Sequence, residues 1–131
     1  MCGRLNLQAT QLTQLLLSIL QQTYPGEDDY NAAPTQTLPV IRSGADGRLE
    51  CLPMRWWLTP SWSQGPSTQY SMFNAKVETA AKSPAFKIPF AKQRCVIPLT
   101  GFYEWHRRAG RKQPFLISDQ AQEGLLLAGL W

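Results

Sequence analysis

Long apolar runs, paired cysteines and histidine are what this 131-residue chain has least of. No stretch of eighteen apolar residues occurs, so no membrane-spanning helix is expected. The start lacks a charged segment followed by an apolar one, which argues against a secretion signal. The 3 cysteines, Cys2, Cys51 and Cys95, are odd in number and widely spaced. That argues against a disulfide framework and for a reducing, cytoplasmic setting. They form no C-x-x-C pair, so a zinc site built from them and the single histidine, His106, lacks the usual ligand spacing. Also missing are a glycine-rich phosphate cradle, a nucleophile elbow and an H-E-x-x-H pattern, which removes the commonest nucleotide, serine-hydrolase and metalloprotease readings. Charged residues make up only 17% against 44% apolar, the balance of a folded globular chain and not of a disordered one. The length suits one domain, residues 1–131, with a real core.

The charge that is present is unevenly placed. The chain carries +4 overall, yet residues 76–112 hold nine basic side chains (Lys76, Lys82, Lys87, Lys92, Arg94, Arg107, Arg108, Arg111 and Lys112) against two acids, Glu78 and Glu104. Such a segment is either a solvated basic face or a surface for a polyanion.

The apolar pattern predicts a helix over residues 8–22, with Leu12, Leu15, Leu16, Ile19 and Leu20 on one face and Thr10 as its cap. It ends before Tyr24-Pro25-Gly26, and Glu27-Asp28-Asp29 reads as a loop. Residues 38–41 and 49–54 read as paired strands around Ser43–Gly47. Residues 59–69, rich in Pro, Ser, Gly and Gln, read as a loop exposing Trp62. A short helix is expected from Glu78 to Lys82, with Pro89 ending or kinking any turn begun at Ser83-Pro84. Strands follow at 94–98, 101–106, 114–117 and 125–131, with Arg107–Lys112 as a turn. The fold class expected is therefore α+β, mostly antiparallel β with a few short helices. The chain stops on Leu125–Trp131, a buried-strand pattern, whereas domains usually finish on polar, poorly ordered residues. A C-terminal portion is expected to be missing, and the uncovered edge could then drive dimerisation or strand exchange.

The chemistry-bearing positions begin at the second residue. If Met1 is removed, Cys2 presents an α-amine and a thiol on one residue. The amine can form an imine with an aldehyde, and the sulfur can then close a five-membered thiazolidine. The alternative is a small residue near a frayed end. Further along, polar residues stand among aromatics. Glu104 alternates with rings in Gly101-Phe102-Tyr103-Glu104-Trp105, so that Phe102 and Glu104 share one strand face and Tyr103 and Trp105 the other. Burial there would raise its pKa and make it a proton carrier; alternatively it pairs with an arginine such as Arg94. Asn74, ahead of the short helix, can orient a substrate or hold a backbone turn. Lys76, two residues on, suits a phosphate.

The ordered set Cys2-Gly3-Arg4, Asn31–Pro34, Met54–Trp56, Asn74–Thr79, Arg94–Pro98, Gly101–Trp105 and Ala128–Trp131 resembles the SRAP family, whose members crosslink to abasic sites in DNA. The resemblance covers the whole chain as its N-terminal portion of a barrel-like SRAP domain. It implies that Cys2 is the nucleophile, that Asn74 contacts the lesion and that Glu104 assists proton transfer around the ring-opened sugar. It implies that Arg4, Trp62, Lys76 and Trp105 approach single-stranded DNA containing abasic sites. No metal, organic cofactor or membrane is implied, and the protein would be cytoplasmic, nucleoid-associated when bound, and part of the DNA damage and SOS response. Lys76 stands where the family generally has arginine, which keeps the charge but loses the planar fork. Trp57 replaces a usual glycine. The family's histidine, in a His-Asp-Arg-Met-Pro-like segment beyond Ala-Gly-Leu-Trp, is absent, and His106 does not match it. Two rival readings remain: a cysteine-type peptidase that processes its own N-terminus, with lyase- or hydrolase-like chemistry, and a non-catalytic single-stranded DNA-binding module.

Overall fold

A computed structural model describes residues 3–108, 110–121 and 123–131. Among the described residues, eight strands and three helices follow in the order β1 (Leu5–Leu7), α1 (Ala9–Leu20), β2 (Asp29–Ala32), β3 (Thr37–Ser43), β4 (Leu49–Arg55), α2 (Val77–Ala80), α3 (Lys87–Lys92), β5 (Arg94–Leu99), β6 (Gly101–Arg108), β7 (Arg111–Ser118) and β8 (Leu125–Leu130). They form two four-stranded sheets, β2-β1-β6-β7 and β4-β3-β5-β8, and neither row closes on itself among the described residues. The pairs β1–β2, β1–β6, β3–β4, β3–β5 and β6–β7 are antiparallel. The α+β class with mostly antiparallel sheets and short helices is thus the observed one. The chain divides into two compact units, Met1–Ala33 with Pro98–Leu127, and Pro34–Ile97 with Ala128–Trp131.

In the first unit the leucine stripe of α1 supplies the core. Leu12 and Leu16 are fully buried, together with Leu5, Leu7, Ala32 and Leu99, whereas Ile19 lies at the edge of the stripe and is exposed. Thr10 does not cap this helix. Gln8 is the N-cap residue and makes no side-chain bond. Instead the Ala9 N–H donates to Asp28 Oδ1 at 2.7 Å, from a segment nineteen residues away in the chain. A carboxylate here satisfies an orphan donor and faces the positive end of the helix dipole. The far end closes on Gln21, whose N–H donates to the Leu17 carbonyl and whose left-handed φ of 57° then turns the chain out of the helix.

The Ala9 N–H, and second the Tyr30 hydroxyl, hold the Asp28 carboxyl below its ordinary range. Because its folded-state pKa is depressed, this contribution to stability is present above about pH 3.9 and is lost as pH falls through the folded value. Asp28→Ala is expected to lower the thermal unfolding midpoint by a few degrees at neutral pH. The gap from wild type should narrow on acidification, which differential scanning calorimetry between neutral and strongly acidic pH will show.

β1 and β2 are strands that pattern reading does not reveal, and Asp29 begins β2 where a loop is expected. β1 is three residues long and buried throughout, including Asn6 between its two leucines. The Asn6 carbonyl accepts bonds from the backbone N–H of Thr100 at 2.9 Å and from its hydroxyl at 2.8 Å. In the second unit β3 and β4 form the expected hairpin, in register from Thr37↔Arg55 to Ser43↔Leu49. Gly47, at φ 80°, turns the chain between them. Leu38, Val40, Ile41, Trp56, Ala80 and Ala85 make its core. Pro89 neither ends nor kinks a helix: it is the third residue of α3, within the first turn, where backbone N–H groups have no intrahelical acceptor.

Candidate functional site

Of the residues expected to carry chemistry, Cys2 lies outside the described residues. Arg4, Glu104 and Trp105 belong to the first unit, and Trp62, Asn74 and Lys76 to the second.

The first unit gathers its three around the ladder between β1 and β6. Leu5 faces Phe102 and Asn6 faces Gly101 across this ladder. One step towards the chain start, the Tyr103 N–H donates to the Arg4 carbonyl at 2.9 Å. The half-buried Arg4 side chain is oriented by β2, with Nη1 donating to Asn31 Oδ1 at 2.8 Å. The Tyr103 hydroxyl donates to the Tyr30 carbonyl at 2.9 Å, fastening β6 to the same stretch of β2. Glu104 follows Tyr103, half-buried and opposite Phe115, while Trp105 is opposite Pro114 and 41% exposed. Asn31 and Tyr30 are therefore part of this arrangement. The sequence sets Asn31–Pro34 among the family-like segments, but only the folded chain shows that Asn31 and Tyr30 hold Arg4 and Tyr103.

In the second unit an aromatic cluster anchors the segment that carries Asn74. The Trp56 indole N–H donates to the Phe73 carbonyl at 2.9 Å, and the two rings meet edge-on at 6.0 Å. Trp57 also packs on Phe73, tilted at 37° with 5.5 Å between ring centroids. The large ring at position 57 therefore helps to set the backbone immediately before Asn74, a role that sequence reading left open. Asn74 is half-buried; Lys76 is exposed, and its carbonyl accepts the first turn of α2 from Thr79 and Ala80. Trp62 is 61% exposed, as expected for its loop. It lines a cavity of about 210 Å³ with Pro60, Ile88, Pro89 and Trp131, and neither Asn74 nor Lys76 borders it. Arg94, the partner considered for Glu104, donates through Nη1 to the carbonyls of Phe90 and Ala91 at the end of α3.

The remaining cysteines are poor nucleophiles. Burial pushes the Cys95 thiol up to about 11 and raises the Cys51 thiol as well, so both stay protonated near neutral pH. Both are free thiols. No cluster of metal-ligating side chains occurs among the described residues. No helix among the described residues is long and apolar enough to cross a membrane.

The model of the family described as SOS response associated peptidase (SRAP) matches residues 1–131. The chain belongs to the SRAP family. It is 37% identical over 136 residues to the abasic site processing protein YoaM of Bacillus subtilis, covering all of this chain and 59% of that one. It is 35% identical over 101 residues to the abasic site processing protein HMCES of Mus musculus, covering 67% of this chain and 29% of that one. A crystal structure of a Bordetella bronchiseptica protein shares the fold, with a TM-score of 0.82 at 24% identity over 99% of this chain and 63% of the other. The chain thus spans about 60% of the length of bacterial SRAP relatives such as YoaM and YoqW.

Proposed function

We propose that this protein captures abasic sites in single-stranded DNA covalently through Cys2, after removal of Met1. The α-amine of Cys2 attacks the ring-opened sugar aldehyde and water leaves as the imine forms. The thiol then adds across the carbon–nitrogen double bond, with its proton passing to nitrogen, to close a thiazolidine. Glu104 carries protons during ring opening and imine formation, and Asn74 orients the sugar. Arg4, Trp62, Lys76 and Trp105 hold the strand, the charges by counterion release and the indoles by stacking. The barrel-like arrangement and the single-domain organisation expected of the family belong to the same proposal, as does a role in protecting abasic sites during the DNA damage response.

The observation that carries this reading is the pairing of β1 with β6. The chain that follows Cys2 runs beside the strand bearing Glu104, with Arg4 bonded to the residue before it. The family adds the reaction class, since curated relatives across the whole chain are named for abasic site processing. Burial raises the Cys95 and Cys51 thiols, which argues against either of them as the nucleophile and supports assigning that role to Cys2.

The test is intact mass spectrometry of the protein with and without an abasic single-stranded oligonucleotide. The expected spectrum lacks Met1 and gains a species equal to protein plus oligonucleotide less one water. A protein that has lost Met1 and still leaves the abasic strand unmodified would overturn the proposal. Cleavage of added peptides without any adduct would favour a peptidase instead.

A further inference from the structure

The chain reaches Asn74 by a long detour. β4 ends at Arg55, and among the described residues no helix or strand intervenes before α2 begins at Val77. Residues 59–71 are mostly exposed, and some of their bonds stay within the loop, such as that from the Ser63 N–H to the Pro60 carbonyl. A side chain at the end of such a loop keeps one position only if contacts from outside the loop offset the entropy of ordering it.

Those contacts come from Trp56–Leu58. The Leu58 N–H donates to the Met72 carbonyl at 3.1 Å, and the Trp56 indole N–H to the Phe73 carbonyl at 2.9 Å. Both bonds hold backbone and leave the Phe73 ring to be placed by packing. Trp56 meets that ring edge-on, at 86°, whereas Trp57 is tilted by only 37° to it. Two indoles on one ring, beside bonds to consecutive carbonyls, fix the direction in which the chain enters Asn74.

The two tryptophans differ in what else they do. Trp56 is buried in the core of its unit and bonds through its N–H. Trp57 is half-buried, and its backbone N–H donates to the Arg55 carbonyl whatever side chain is attached. Its indole N–H is buried and has no acceptor among the described residues. A buried donor without a partner opposes folding, and a phenylalanine ring at this position would carry no such donor. What the indole contributes is therefore its flat face on Phe73, one residue before Asn74.

We propose that Trp57 is a positioning residue for Asn74: its ring, acting through Phe73, holds the Asn74 amide where it orients the abasic sugar. This rests on the role given to Asn74 in covalent capture and extends it to a side chain that need not touch the sugar. The consequence is kinetic. Loosening Phe73 lowers the fraction of bound sugar in the reactive orientation, and a small misplacement is enough to slow a reaction. Strand affinity changes little, because Lys76 meets a phosphate as a point charge on a flexible stem and tolerates a shift that a directed amide does not.

The experiment is single-turnover capture of an abasic single-stranded oligonucleotide over a range of protein concentrations. The proteins are wild type, Trp57→Ala, Trp57→Phe, Asn74→Ala and Trp57→Ala/Asn74→Ala, each checked for folding by circular dichroism. Trp57→Ala is expected to lower the limiting rate about tenfold while the half-saturating concentration stays within about twofold of wild type. Trp57→Phe keeps a ring on Phe73 and should hold most of the wild-type rate. The double variant should be no slower than Asn74→Ala, since a residue that acts through Asn74 has nothing left to position. Hydrogen exchange across residues 70–77 should quicken in Trp57→Ala and not in Trp57→Phe. If Trp57→Ala does not fold, Trp57→Leu, which keeps apolar volume without the flat ring, takes its place in the same comparison. A wild-type limiting rate or unchanged exchange in the folded variant overturns the positioning role. So do losses that multiply with that of Asn74→Ala, or Trp57→Phe as slow as Trp57→Ala. In each of these cases capture by wild type leaves the proposed function standing. Wild type that has lost Met1 and forms no adduct overturns that function, and the positioning role with it.

Discussion

Cys2→Ser is expected to abolish the heat-stable adduct with abasic single-stranded DNA while sparing an adduct that borohydride can trap. Serine at position 2 keeps the α-amine once Met1 is removed, so the first step, imine formation, survives. That amine titrates near about 7.7–8.0, which leaves a neutral, nucleophilic fraction at physiological pH. The second step does not survive. A hydroxyl adds to an imine more weakly than sulfur and gives a ring that reopens readily in water. The imine therefore hydrolyses on heating unless it is reduced to an amine first. Denaturing gels run with and without borohydride separate the two steps: wild type shifts the labelled strand in both lanes, Cys2→Ser only in the reduced one. A variant that retains Met1 has neither a terminal aminothiol nor an amine on the correct residue, and should shift neither. A heat-stable shift from Cys2→Ser without reductant would remove sulfur from the mechanism. A shift that survives retention of Met1 would remove the nitrogen of Cys2 as well. A peptidase using the same residue as an acyl acceptor predicts a different pattern, with no strand shift in any lane.

What the sequence discloses of this arrangement depends on how local each cause is. The stripe of α1 and the β3–β4 hairpin are set by periodicity and turn chemistry within a few residues, and both appear where the pattern predicts them. The cap of α1 is not local. Thr10 has the right chemistry, but Asp28 reaches the Ala9 N–H from another segment, and no spacing rule announces that. β1 is too short for its alternation to register. Its three residues are buried together because β2 and β6 flank it on either side. The Arg107–Lys112 segment looks like a turn because it is charged, yet the ladder continues through it to Arg108↔Arg111. Charge reports solvent exposure, and an exposed ribbon is as compatible with it as a loop. The same limit applies to the site. Alternation along Gly101–Trp105 anticipates that Glu104 and Trp105 point to opposite faces, which the register bears out. The contributions of Asn31 to Arg4 and of Trp57 to the Asn74 segment depend on contacts between distant parts of the chain.

Gly101→Ala is expected to destabilise the protein by about 2–3 kcal/mol, lowering Tm by roughly 5–10 °C. Gly101 opens β6 and faces Ser118 on one side and Asn6 on the other. A methyl group on its Cα would meet the Ile117 carbonyl oxygen at 2.8 Å and Leu116 Cδ1 at 2.9 Å. The leucine methyl is the end of a flexible side chain and can rotate away. The carbonyl is backbone inside a paired strand and cannot move without disturbing the ladder. Gly101→Ala/Leu116→Ala is therefore expected to recover only part of the lost Tm, because it removes the softer of the two contacts. Gly65→Ala, where an added methyl meets nothing within 4 Å, should leave Tm unchanged and serves as the control. The effect should also reach the chemistry. The strand displaced at Gly101 carries Tyr103, whose N–H holds the Arg4 carbonyl, and next to it Glu104. Adduct formation by Gly101→Ala, measured well below its lowered Tm, is expected to be slower than wild type. An equal rate in the folded variant would mean that the β1–β6 ladder does not set the position of the reacting groups.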